Sequence, residues 1–562
     1  MGKGKILDLR WQGRLGADLT LRFDQLATEM RDNFHSAICS LSRGHVHNLD
    51  WWLSSALSRN IFASPLFFRV CAFQLVCEQL ASKEVPSRIL VDSAVLGDAI
   101  SDTAAQAGLA PTVEVQRSRR LPSILIGAGL FLRACWLWCL VRLFTANHTA
   151  GSKQPLTLVD TFVSPGYEKT DRYYPGLLEN LDAAVRKSVL RVPTLYGYTP
   201  TGYVSVLRIL DQCTDAWLFR EHFLRLQDMF YAALWWWRVQ RLPVPEENVA
   251  GIDLGLLIRE ELQEYRDPGA AFAGILNYRF FQRLSENHID LLYAVDWHEN
   301  QPLDRGWNAG LNHFYPDTPT MGYQGYIVSP HYLVMYPLAC ERAAGLLPKA
   351  IGVMGEGYVD ERRRYCPESN MEPAPSFRFG HIYRQRQAGR QTDGPAVAVA
   401  LPKDTTLAND IISMVRREAS IKPAWIWRIK THPTHTAEKT MAWCTSLPGN
   451  VTCYAGILED LLDECDVLLG SASSACMEAV ACGLGVIIVA GDRGLIQNPI
   501  PDDVDHQLWK IFCYGDDLTG MLDELMVFIR TDPGRMAASA GQVRERYFRP
   551  VTRTGVEKFM RQ

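Results

Sequence analysis

Two short stretches near the C-terminus carry residue types suited to holding a phosphate. The first is Ile429-Lys430-Thr431-His432-Pro433. The second, about forty residues on, is Gly470-Ser471-Ala472-Ser473-Ser474-Ala475-Cys476-Met477-Glu478-Ala479. Each follows an apolar, β-like run. In the second, a strand, a Gly-Ser turn and a helix place free backbone N–H groups and a positive dipole end at the turn. Gly470 and its small neighbours let an anion approach closely, and the hydroxyls of Ser471, Ser473 and Ser474 add donors. Glu478 lies about one turn deeper, where a carboxylate accepts hydrogen bonds from ribose hydroxyls. The alternative is an ordinary capped helix with a surface glutamate. In the first stretch, Lys430 and His432 put two donor groups at a strand end. A histidine that donates to a phosphate or to a leaving oxygen stabilises charge that grows as a bond breaks. Pro433 stiffens the loop and stops the strand. His435 reads as a bystander.

The elements that must position these residues recur along the chain. Apolar runs at 88–92, 156–160, 290–296, 320–328 and 349–354 tend to end in polar residues, and several lead into a helical stretch. This is the βα unit of a parallel sheet. Residues 365–395 change composition, with Pro367, Pro373, Pro375, Gly380, Gly389, Gly394 and Pro395, and read as a hinge. A second βα series follows, with strands expected at 396–401, 424–429, 451–454, 466–469 and 485–490. Two doubly wound α/β domains are therefore expected. In such sheets ligands bind outside the carboxyl ends of the strands, so the polar strand ends are the candidates for function.

The bulk numbers agree with a large globular chain. At 562 residues it is too long for one core. Hydrophobic residues make up 47% and charged residues 21%, which excludes a disordered chain. A net charge of −4 leaves no nucleic-acid footprint. Fourteen cysteines are scattered without a CxxC pair. A reduced cytoplasmic protein with buried thiols is expected, rather than a disulfide framework or zinc site. No secretory signal follows the N-terminus. The segment 121–144 is apolar except for Arg133 and Arg142 and is long enough to span a bilayer. An arginine near its centre disfavours a span. With Arg117, Arg119 and Arg120 on one flank, a helix lying on the inner face of the plasma membrane fits better. A second candidate is the stretch from Phe230 through Trp235, Trp236 and Trp237. Burial of both as core helices is the alternative.

The strand-ending Lys-x-His-Pro and the later Ser-rich turn with its glutamate resemble GT-B glycosyltransferases that use cytidine-nucleotide donors. These include the transferases of Kdo and sialic-acid type sugars (CMP-nonulosonates) and the CDP-glycerol phosphotransferases. Further segments resemble bacterial surface-carbohydrate biosynthesis proteins: Trp51-Trp52, Arg59-Asn60, Ser64-Pro65-Leu66, Trp297-His298-Glu299-Asn300-Gln301-Pro302 and Gly322-Tyr323-Gln324. The resemblance implies two Rossmann-like domains facing a cleft: an acceptor domain at 1–380, a linker at 381–395 and a donor domain at 396–562. It implies transfer of a nonulosonic acid from a CMP-activated donor to a surface polysaccharide or lipid-linked glycan. An inverting transfer needs a base for the acceptor hydroxyl. Glu299 is the first candidate and Asp296 the second, with His432 on the leaving phosphate. If configuration is retained, Glu299 binds acceptor or acts as nucleophile. His298, Asn300, Gln301 and Gln324 are candidates for acceptor hydroxyls, with a helix-capping cluster as the alternative reading of the first three. Arg378 is suited to a donor carboxylate or phosphate, or is a solvated linker residue. Glu356 is a weaker acid/base candidate. No metal motif stands out, and Lys430, His432 and the helix dipole suffice for the leaving nucleotide without a metal cofactor. A CDP-polyol phosphotransferase, a nucleotide-sugar epimerase and a non-catalytic assembly scaffold are the rival functions.

Overall fold

The computed structural model describes residues 6–11, 13–82, 86–116, 121–146, 154–213, 216–384, 394–445 and 447–561. Three parallel sheets carry the architecture. A small one joins β1 (Ile6–Asp8), β2 (Arg88–Val91) and β3 (Thr112–Val115) in that order. The first large sheet contains β4 (Leu156–Val163) and β5 (Val189–Leu195). After a two-stranded hairpin of β6 (Asn248–Val249) and β7 (Ile252–Asp253), it continues with β8 (Leu291–Trp297), β9 (Thr320–Gln324), β10 (Ala350–Val353) and β11 (Asn370–Pro373). Its order is β11-β10-β9-β8-β4-β5. The second large sheet holds β12 (Ala396–Ala400), β13 (Ile426–Lys430), β14 (Val451–Cys453), β15 (Val467–Gly470), β16 (Gly485–Val489) and β17 (Trp509–Phe512). Its order is β14-β13-β12-β15-β16-β17.

Both large sheets are doubly wound, as expected from the βα series. In each, strand order reverses at one point, between β4 and β8 and between β12 and β15. In the second sheet the strands that flank the switch point, β12 and β15, are apolar along their length because helices cover both faces, whereas β4 and β8 carry Asp160 and Asp296. Every residue of β12 and β16 is buried. Helix starts are set by local chemistry. Asp404 caps the helix Thr405–Ile421 by accepting from the Leu407 N–H, and Asp304 anchors the turn before the helix Pro302–Phe314. That helix touches the helix Pro268–Glu286 backbone to backbone. A Cβ on Gly306 would lie 1.9 Å from the Gly274 carbonyl oxygen. Such contact holds the helix after β8 close, and with it the loop that follows the strand.

The structure departs from the sequence expectation at the β2 unit and at the cysteines. The β2 unit belongs to the separate small sheet rather than to the main sheet of the first domain. The chain end also crosses over. The Ser376 N–H donates to the Arg549 carbonyl and Tyr293 Oη to the Phe559 carbonyl, so the helix Arg553–Phe559 packs on the first large sheet. The last helix thus returns to the first domain. Two cysteine pairs, Cys39–Cys340 and Cys444–Cys453, are bonded, with Cα separations of 5.4 and 6.0 Å. The expectation of free thiols fails there: Cys39 and Cys340, 301 residues apart, meet only in the fold, while Cys444 and Cys453 are 9 apart. Finally, most of the expected linker, 385–393, and the arginines at 117, 119 and 120 lie outside the described residues.

Polar contacts tie the two domains together beside a continuous apolar core that draws on both. Asp24 accepts from the Ile496 N–H and pairs with His331 Nε2, at 2.7 and 2.8 Å. Arg14 bridges to Asp410 and Asp492. One carboxylate on the N-terminal helix thus ties the loop after β16 to the loop after β9.

Candidate functional site

In the second domain, β13 ends at Lys430 and the chain turns through His432 and Pro433. The Thr434 backbone N–H can only donate, and it points at His432 Nδ1 from 3.2 Å. Nδ1 is therefore the accepting nitrogen and Nε2 carries the proton. Burial first, then the positive charges of His435, Lys403 and Arg172, lower the His432 pKa to about 4. The ring is thus a neutral N–H donor at pH 7. His435 faces away, with Nε2 2.9 Å from the Pro402 carbonyl and its ring edge-on to Trp443. Lys430 is half-buried, and Pro433 is exposed.

The next strand, β15, ends at Gly470 and leads into the Ser-rich turn. Ser471 is buried, and Ala472 adopts a left-handed φ of 47°. A non-glycine residue there costs about 1–2 kcal/mol. Ser473 caps the helix Ser474–Ala481 by accepting from the Ala475 N–H at 3.2 Å. Its hydroxyl is committed to the cap, while Ser474 sits half-buried at the first helical position. Glu478 does not present a free carboxylate. It is 6% exposed, and Oε2 lies 3.1 Å from His381 Nε2. Burial opposes charge on His381, but the bond and charge of Glu478 and the charge of Glu459 outweigh it and raise the His381 pKa.

In the first domain, the loop after β8 separates the candidates. Glu299 is half-buried, with Oε1 accepting from Trp297 Nε1 at 2.8 Å and Oε2 from Tyr332 Oη at 3.4 Å. Its N–H donates to Asp304. Asp296 and His298 instead lie beneath the surface, 1% and 0% exposed, paired at 3.2 Å. Asn308 also donates to Asp296. Beside them on β4, Asp160 has its pKa pushed up to about 8 by burial and by the charge of Asp296. A buried carboxyl cluster therefore backs the Glu299 loop.

The other expected acceptor residues serve as scaffolding. Asn300, at a left-handed φ of 54°, donates to Glu341 at 3.0 Å and accepts from Arg305. Glu341 in turn binds Arg59 and Arg305, and all three side chains are fully buried. The two arginines hold the Glu341 pKa down against the opposing effect of burial. Gln301 is bonded to Asn60 and Tyr332. Gln324 is buried, donating to the Met335 carbonyl and accepting from Arg362. Arg59, Asn60 and the 298–301 stretch, far apart in sequence, thus converge on one network that shapes the Glu299 loop. Glu356 pairs with Arg549 at the surface. Among the described residues no cluster of His, Cys, Asp or Glu has the grouping of a metal site.

Two arginines face the same region without a carboxylate partner among the described residues. Arg378 lies over Trp297, 5.7 Å from the ring centre, and 5.9 Å from that of Tyr173. Arg172 lies 5.1 Å over Tyr167. Its charge reaches His432 of the other domain. A second bridge runs from Glu478 to His381 and, three residues back along one short 3-10 stretch, to Arg378 over Trp297. The carboxyl edges of the two sheets therefore face one another. Sequence reading missed Arg172, His381 and Tyr332. Only Arg172, just after β4 at a switch point, carried a positional signal.

No protein-family model matches the sequence, and no curated protein matches it. Among solved structures, the glycosyltransferase of kitacinnamycin aligns with 72% of this chain and 96% of its own, at 12% identity and a TM-score of 0.38. The lipopolysaccharide outer core galactosyltransferase WaaB aligns with 72% and 99%, at 10% identity and 0.38. The UDP-GlcNAc 2-epimerase from Neisseria meningitidis aligns with 72% and 98%, at 10% identity and 0.39. The two doubly wound sheets, with facing carboxyl edges, are what define this chain as α/β of the GT-B arrangement.

Proposed function

We propose that this protein is a glycosyltransferase that moves a nonulosonic acid from a CMP-activated donor to a surface polysaccharide or glycolipid. The observation that carries the transfer chemistry is Glu299: a carboxylate held by Trp297 and Tyr332 at a switch-point strand end, opposite a cation-bearing edge. In this reading Glu299 takes the proton of the acceptor hydroxyl as its oxygen attacks the anomeric carbon. The bond to the CMP phosphate oxygen breaks, and the charge left there is met by His432 Nε2–H, Lys430 and the helix start at Ser474. No step requires a metal. Arg378 and Arg172 supply planar donors for a sugar carboxylate. The choice of CMP rests on the motif resemblance, and the acid sugar on those two arginines. In a CDP-polyol phosphotransferase the same cationic edge would serve, but the bond broken would lie between the two phosphates.

Glu299→Gln tests the reading. Transfer from CMP-sugar should fall by about 10²–10⁴-fold, while CMP still raises the melting temperature as it does for the wild type. Full activity in that variant removes the base. A thermal response to UDP but not to CMP removes the donor assignment.

A further inference from the structure

We propose that the outer face of the helix Ser123–Phe144, with Phe230 and Trp237 beside it, docks flat into one leaflet of an anionic phospholipid membrane. The helix has a mean hydropathy of 2.0 over its most apolar window, yet only 11% of that window is buried. A core helix of that composition would be mostly enclosed. Ile124, Leu125, Leu132 and Leu143 are instead 58–75% exposed, and they share a stripe with helical spacing. Phe230, 56% exposed, extends it through its ring contact with Phe131, and Trp237, 48% exposed, lies on the short helix whose Trp236 packs against Gly127. A contiguous apolar patch of this kind marks an interaction surface.

The polar groups show what covers it. Both arginines of the helix turn their heads back onto the protein. Arg133 donates to Tyr203 Oη, and Arg142 donates to the carbonyls of Glu221 and His222 while lying over Trp138. The charges thus flank the stripe as snorkelling residues do at a membrane interface. The helix contains no Asp or Glu. The one acid of the stretch 226–239, Asp228, is buried and paired with Arg283. Arg208 over Phe144 and Arg241 over Trp237 add positive charge around the stripe. Such a cationic rim complements anionic headgroups. It opposes a second copy of this chain, because a two-fold contact sets like against like.

A crossing helix is excluded by its neighbours. Contacts to protein run from Gly127, against the Ala233 carbonyl, to Arg142. Spanning would drag the polar turn Arg220–His222 and the helix Pro200–Asp211 into hydrocarbon. The geometry is that of an in-plane, monotopic helix with one side on the protein and the other in lipid.

The test uses the full-length chain and vesicles of phosphatidylethanolamine with phosphatidylglycerol. Wild type should sediment with them, and brominated lipid should quench its tryptophan emission. The double variant Leu125→Glu, Leu132→Glu should keep the wild-type melting curve, since both side chains are exposed, and lose at least about tenfold in vesicle partitioning. Wild type that ignores vesicles, a folded variant that binds as well as wild type, or a dimer that the variant dissociates would each overturn the proposal.

Discussion

The neutral state of His432 has a consequence that can be measured directly. The folded ring has its pKa lowered from 6.5 to about 4, first by burial and then by His435, Lys403 and Arg172. A depressed value means that the fold disfavours the imidazolium. The stability associated with it is fully present above pH 6.5 and is lost as pH falls towards 4. Unscreened, such a drop is worth ~3 kcal/mol. The ring is partly exposed, so solvent screening reduces this to about 1–2 kcal/mol. Urea denaturation should show wild type losing that amount between pH 6.5 and 4 relative to His432→Gln, which cannot titrate. An NMR titration of the imidazole in the free protein should give a midpoint well below 6.5. The same reasoning governs catalysis. If the ring acts as a neutral donor, Gln supplies an N–H and retains activity within about tenfold, whereas His432→Ala loses the donor and about 10²–10³ in kcat. A midpoint near 6.5, or a Gln variant as inactive as the Ala variant, would refute the neutral-donor argument.

Two further substitutions probe the supports of the site. Glu341→Gln leaves Arg59 and Arg305 buried without a counter-charge. It should cost about 3–5 kcal/mol in urea denaturation and lower kcat through the Asn300 tether while CMP binding persists. The raised His381 pKa gives the Glu478 pair the opposite pH sense: its stability is full below pH 6.5 and fades as pH rises through the folded value. Glu478→Gln should abolish that fade when urea midpoints are compared at pH 6 and pH 9, and an unchanged slope would show that the pair contributes nothing.

How much of this was legible beforehand depended on range. Strand ends at Lys430, Gly470 and Trp297 follow from local apolar runs closed by polar or small residues, and the structure places them at the carboxyl edges of parallel sheets. The doubly wound pattern was readable for the same reason. The Ser473 cap is likewise local, because its partner is two residues away. The long apolar helix at 123–144 and the Trp-rich stretch at 235–237 were also plain as compositions.

What a polar residue does at a strand end was decided by partners that no spacing reveals. Glu478 has the right position for a ribose, but His381 reaches it from nearly a hundred residues upstream and takes its carboxylate. Asn300 and Gln324 sit at promising turns, yet Glu341 and Arg362 turn them inward. Glu299, in the same loop, keeps a half-exposed carboxylate because its neighbours Trp297 and Tyr332 only orient it. Likewise, composition left the apolar helix as either core or membrane surface. Only its packing, with arginines bonded inward and leucines facing out, separates the two. Local periodicity determines which elements form. The competition among distant groups for each hydrogen bond determines which side chains remain free for a ligand.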